Sequence, residues 1–200
     1  ANEEYKKVLS EYYYDKDFKK RKEKRKENIK EKLTNCIPNL FKSKTYKEFN
    51  RNYLVQLDDP ESEFDFSDSF KIFDTDIFAI PDLVYKKEGI FYIVDWKTGT
   101  PNPIHDKKQL EIYVLYVFKK YPEAEKIVSR LEYLLGGKER EETYLRSNNL
   151  EIIDYIRDSI ADMREYQSDE EKKLPFDEKY YPRTESEGRC KFCNFRELCK

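Results

Sequence analysis

The chain has 200 residues, enough for one domain with a sizeable core, and charged residues make up 40% of it against 38% hydrophobic. Its 17 Tyr, 13 Phe and single Trp exclude the aromatic-poor composition of a disordered chain, and a net charge of -2 excludes a molecule that is basic throughout. No apolar run is long enough to span a bilayer and no signal-peptide pattern is present, which makes a soluble, cytoplasmic, membrane-free protein the expectation.

Residues 3–33 read as one long or two short lysine-rich helices with Val8, Tyr12, Phe18 and Ile29 as sparse anchors, a helical N-terminal extension (1–33) ahead of a main domain (34–200). Within it, residues 16–32 set ten Lys or Arg against four acids. Such a run contacts phosphates or is a solvated helix face; the recurrence of Glu23, Glu27 and Glu31 at helical spacing favours the solvated face. Pro38 should break the helix, because proline gives no N–H and clashes with the preceding turn. A second helix is expected from Ser43, a ready N-cap, to Val55. Residues 58–62 read as loop, and Phe64, Phe66, Phe70, Ile72 and Phe73 begin a strand-like pattern that turns at 74–76.

Residues 77–85 and 89–97, joined by 86–89, read as a β-hairpin, and the turn formers of 98–103 end it. From about Asp106 to Tyr121 apolar side chains occupy nearly every helical face, so this helix should be mostly buried and cross over a sheet. Residues 126–135 and 141–145 read as strands around Gly136-Gly137. An amphipathic helix capped by Asn148 or Asn149 then runs to about Tyr166, and the tail beyond 173 shows no periodicity.

The chemistry concentrates on Pro81-Asp82 and Asp95-Trp96-Lys97. Phosphodiester hydrolysis calls for a divalent cation held by hard oxygens, and Asp82 and Asp95 lie at hairpin-strand ends that converge on one sheet edge. Lys97 shares a strand face with Asp95, because strand side chains repeat with period two, so Asp95 would hold a metal while Lys97 orients or deprotonates water. The backbone carbonyl of Trp96 offers a third ligand. Taken alone, these residues leave open a partly buried Asp95–Lys97 ion pair with Asp82 capping a turn.

On Ile80-Pro81-Asp82-Leu83-Val84, Ile93-Val94-Asp95-Trp96-Lys97-Thr98-Gly99, and Gln109 with Tyr113, the sequence resembles the PD-(D/E)XK nuclease superfamily, and within it the RecB/AddB-like exonuclease branch. The i, i+4 spacing puts Gln109 and Tyr113 on one helical face. The resemblance implies a restriction-endonuclease-like α/β core, a mixed central sheet flanked by helices. It also implies Mg2+ or Mn2+ at Asp82, Asp95 and Trp96, with Gln109 and Tyr113 positioning DNA and Lys97. The implied activity is DNA cleavage, as an exonuclease on single-stranded ends. The alternative is a catalytically inactive DNA-binding or assembly module of a repair, recombination or CRISPR adaptation complex. The branch usually carries a His or Glu on an upstream helix; Glu48 is the candidate by position, and His105, the only histidine, is better read as a surface residue.

Four cysteines are too few for a disulfide scaffold, and Cys190, Cys193 and Cys199 cluster near the terminus with Cys36 far upstream. Soft thiolates select zinc or an iron-sulfur cluster. The one-plus-three order resembles the 4Fe-4S signature of AddB-like and CRISPR-associated RecB-like exonucleases, which implies a structural cluster on these four residues, with zinc as the competitor.

Overall fold

The structure, a computed structural model, describes residues 18–49, 55–56, 69–147, 150–181, 184, 185 and 188. Residues 3–17, Phe64, Phe66, Asn148, Asn149, Cys190, Cys193 and Cys199 of the sequence reading lie outside this set. By internal contacts the chain divides into a unit spanning Asn28–Asp158 and a second one whose described parts come from residues 18–27 and 159–188.

The first unit is built on a five-stranded mixed sheet in the order β1 (Val55–Gln56), β4 (Leu83–Lys87), β5 (Ile90–Lys97), β6 (Lys126–Tyr133), β7 (Lys138–Leu145). All neighbours are antiparallel except β5 and β6, which run parallel. A parallel pair requires a crossover, and helix α3 (Pro103–Lys120) supplies it. Val114 and Val117 of this helix are fully buried, as are Phe91 and Ile93 of β5. The β4–β5 hairpin closes through Glu88 and Gly89, at φ 51° and 80°, the doubly left-handed turn whose twist matches a two-residue hairpin.

Helices α1 (Phe18–Lys42) and α2 (Lys44–Phe49) precede the sheet. The break expected at Pro38 does not occur: α1 runs through it. Proline removes one donor and strains one turn, a local cost that tertiary contacts offset here, since Cys36 is buried and Asn39 Nδ2 donates to the Leu134 carbonyl at 2.7 Å. Ser43 does cap α2, its Oγ accepting from Tyr46 N, but the helix ends at Phe49 and Val55 lies in β1 opposite Lys86. The expected strand 77–85 is two strands. β2 (Ser69–Ile72) and β3 (Thr75–Phe78) form their own hairpin about Phe73 and Asp74 at φ 48° and 62°, and buried Pro81, which has no N–H for a ladder, separates β3 from β4. Phe70 of β2 packs against Tyr116 of α3.

Helix α4 (Ile152–Arg164) buries Ile152 and Ile156. In the second unit, β8 (Gln167–Asp169) pairs with β9 (Leu174–Pro175), and Tyr166 stacks on Tyr181, so the start of the tail read as aperiodic forms a small hairpin with the residues just ahead of it. Among the described residues no helix is long and apolar enough to cross a membrane.

Candidate active site

Strand alternation sorts the residues of β5 onto two faces. Arg130 of β6 is the register partner of Val94 and reaches Glu48 of α2, so α2 lies over the face that carries Tyr92, Val94 and Trp96. Asp95 and Lys97 take the other face, where α3 lies and Lys97 meets Gln109.

Asp95 is 3% exposed. Its Oδ2 stands 2.8 Å from Lys97 Nζ in an ion pair and is otherwise without a hydrogen bond. Burial pushes the Asp95 carboxyl above its ordinary value, Lys97 pulls it back in part, and Asp82 and Asp106 raise it further. Lys97 Nζ also donates to Gln109 Oε1 at 2.5 Å, and Gln109 Nε2 donates to the Tyr113 hydroxyl at 2.7 Å. Because an ammonium only donates, it fixes which way the amide of Gln109 faces, and the Tyr113 phenol keeps its own proton for a further acceptor. Burial first, and the negative charges of Asp95 and Asp82 after it, push that phenol up to about 12, so it stays protonated at neutral pH.

Asp82 sits just ahead of β4 and its Oδ2 accepts from Trp96 N at 2.7 Å. The N–H and C=O of one strand residue leave on the same side, so the Trp96 carbonyl also faces the Asp82 side. The β4–β5 ladder ends at Leu83 and Val94, short of that carbonyl. The Trp96 ring lies on the far face, its Nε1 donating to Glu132 at 2.6 Å.

The structure thus brings Asp95, Lys97, Gln109 and Tyr113 into one row with Asp82 and the Trp96 backbone beside it. It does not bring in Glu48. That carboxylate lies on the opposite face of the sheet, where it accepts from Tyr85 at 2.7 Å and pairs with Arg130 and Lys87, and this corrects its reading as the upstream metal ligand. His105 is exposed, with Nδ1 3.9 Å from Asp106.

Sequence reading missed Asp106. Buried at 5% exposure, its Oδ2 accepts from Asn102 N at 2.9 Å and from the Tyr133 hydroxyl at 2.7 Å, tying the start of α3 to the end of β6. Its only sequence signal was an acid in the first turn after Asn102-Pro103, the ordinary signature of a helix start.

The donor set suits a hard divalent cation. A buried carboxylate oxygen without a hydrogen bond, a second carboxylate and a backbone carbonyl are hard oxygen donors of the kind Mg2+ takes alongside water. Among the described residues no three His, Cys, Asp or Glu side chains converge to hold a metal. A model of the PD-(D/E)XK nuclease superfamily matches the chain over residues 1–200. The chain belongs to the PD-(D/E)XK nuclease superfamily. No curated protein and no solved structure matched it in the corresponding searches. The mixed central sheet flanked by helices agrees with the fold of this superfamily, and membership implies a metal-dependent nuclease, a hydrolase.

Proposed function

We propose that this superfamily member is an exonuclease that degrades single-stranded DNA from its ends, with Asp82, Asp95 and the Trp96 carbonyl as metal ligands. The observation that carries the site is the buried Asp95 oxygen left without a hydrogen bond beside a lysine that Gln109 holds in place. When bound, Mg2+ or Mn2+ offsets charge on the phosphorane-like transition state and acidifies a water. Lys97 orients that water and stabilises developing negative charge, and the Tyr113 hydroxyl donates to a phosphate oxygen. The four cysteines are read as ligands of a structural 4Fe-4S cluster. Cys36 is buried on α1, and the reading rests otherwise on thiolate chemistry.

Labelled single-stranded oligonucleotides with Mn2+ test the activity: cleavage from the ends in the parent, none in Asp95→Ala or Lys97→Ala. Binding without cleavage in the parent would leave an inactive DNA-binding module, the reading favoured by the lack, among the described residues, of an upstream acid on the Asp95 face. The same preparation, assayed for iron, sulfide and zinc, decides the cluster.

Gln109 acts through Lys97, as a positioning residue. Gln109→Leu should lower kcat by about 10–100-fold, the usual cost of losing a supporting partner at such a site, with KM and Tm nearly unchanged. A parallel rise in KM would show instead that Gln109 contacts substrate.

A further inference from the structure

On the α2 face of the sheet lies a cavity of about 590 Å³, lined by Asn39, Lys42, Lys47, Glu132, Tyr133 and Lys138 among others. It opens at the same sheet edge as the candidate active site. β5 and β6 are parallel and Tyr133 is the register partner of Lys97, so the two strands end side by side about 4.8 Å apart.

The charges around the cavity are unequally engaged. Glu48 is taken up by Tyr85 and Arg130, Glu132 accepts from Thr45 N and Trp96 Nε1, and Lys44 pairs with Glu141. Lys42, Lys47 and Lys138 are exposed and have no carboxylate partner among the described residues, which leaves Glu139 as the one acid of the lining without an internal donor. Next in sequence to Lys42 and Lys47 stand Phe41 and Tyr46, packed edge to face at 4.9 Å, with Phe41 52% exposed. Unpaired lysines with an exposed aromatic beside them are what a single strand asks for, since phosphates take the cations and unpaired bases stack on the ring.

We infer that this cavity is the track along which the backbone of a single strand runs beyond Asp95 and Lys97, with Lys42, Lys47 and Lys138 on successive phosphates and Phe41 under a base. The inference rests on the nuclease reading and adds to it a second binding surface on the opposite face of the sheet.

Binding of a labelled oligothymidylate to the full chain in chelator tests it. Lys42→Ala/Lys47→Ala/Lys138→Ala should weaken binding at least about tenfold at low salt and flatten the log–log salt dependence by about 2, at roughly 0.7 for each phosphate no longer neutralised. Lys138→Ala alone, a surface change that leaves folding intact, should flatten it by about 0.7. Phe41→Ala should weaken single-strand binding about tenfold and leave duplex binding unchanged. Unchanged affinity and slope in the lysine variants would overturn the track. So would an equal loss in Lys71→Ala/Lys119→Ala/Lys126→Ala, which changes net charge alike away from the cavity, or an equal loss for duplex with Phe41→Ala. A parent that cleaves DNA while the lysine variants bind normally refutes the track and keeps the nuclease. A parent that neither binds nor cleaves nucleic acid refutes both.

Discussion

Asp95→Asn should abolish cleavage, by about 10³-fold or more, and at the same time raise the Tm of the chelated protein by about 2–4 °C. Both effects have one cause. The folded chain buries the Asp95 carboxylate with one oxygen short of a hydrogen bond, and Lys97 compensates only part of the lost hydration. Burial therefore raises its pKa against the pull of Lys97, with Asp82 and Asp106 adding to the rise. The sign follows. Between the ordinary aspartate value and the raised one, the native state holds a proton that the unfolded chain has released, so stability of the metal-free protein falls as pH rises through that window. An asparagine is neutral throughout and lacks that loss.

A bound cation would reverse the balance, so Mn2+ should raise the Tm of the parent and leave Asp95→Asn unmoved. Thermal unfolding of each protein in chelator and in Mn2+, at neutral pH and near pH 5, gives the values needed. A variant less stable than the parent in chelator would show that the Asp95–Lys97 pair is a net structural asset, and retained cleavage would remove Asp95 from the site.

Arg130→Met should cost about 3–5 kcal/mol, a fall in Tm of roughly 10–15 °C. Arg130 is fully buried in β6. Its guanidinium donates to Glu141 at 2.6 Å, to Thr45 at 2.8 Å, to the Tyr85 hydroxyl at 3.1 Å and to Glu48 at 3.2 Å, and lies over the Tyr92 ring. It holds α2 to the sheet, and its removal leaves Glu48 with only Lys87 and Glu141 with only Lys44 as counter-charge. For both acids burial acts to raise the pKa. That is outweighed at Glu48 by the hydrogen bonds of Tyr85 and Arg130, and at Glu141 by those of Lys44 and Arg130, so both stay below the ordinary glutamate value. The stability they contribute is present above that ordinary value and is lost as pH falls through the lowered ones. Arg130→Met/Glu48→Gln/Glu141→Gln should recover most of the loss, because the uncompensated charge, more than the missing bond, carries the cost. Failure of the triple variant to recover would assign the loss to packing against Tyr92.

Much of this was legible in the residues. The strand-like runs of 77–85 and 90–97, their connection at 86–89 and the apolar helix after Pro103 are short-range patterns, and they specify a hairpin followed by a crossover. Period two alone puts Asp95 and Lys97 on one face, and a spacing of four puts Gln109 and Tyr113 on one helical face. Local patterns were misleading where distant groups outbid them. Pro38 fails to end α1 because Asn39 is anchored on Leu134, and 77–85 is two strands because Phe78 pairs backward with Ser69.

Which face a charge occupies was equally out of reach. Glu48 and Asp106 are both acids on helices, and only the parallel pairing of β5 with β6 sends one to the Arg130 side and the other to the side of Lys97. The acidic pair and the lysine were therefore determined by the sequence through strand periodicity. The unsatisfied Asp95 oxygen, the amide that holds Lys97 and the separation of Glu48 from both were decided by tertiary structure, because burial and long-range register have no expression in local spacing.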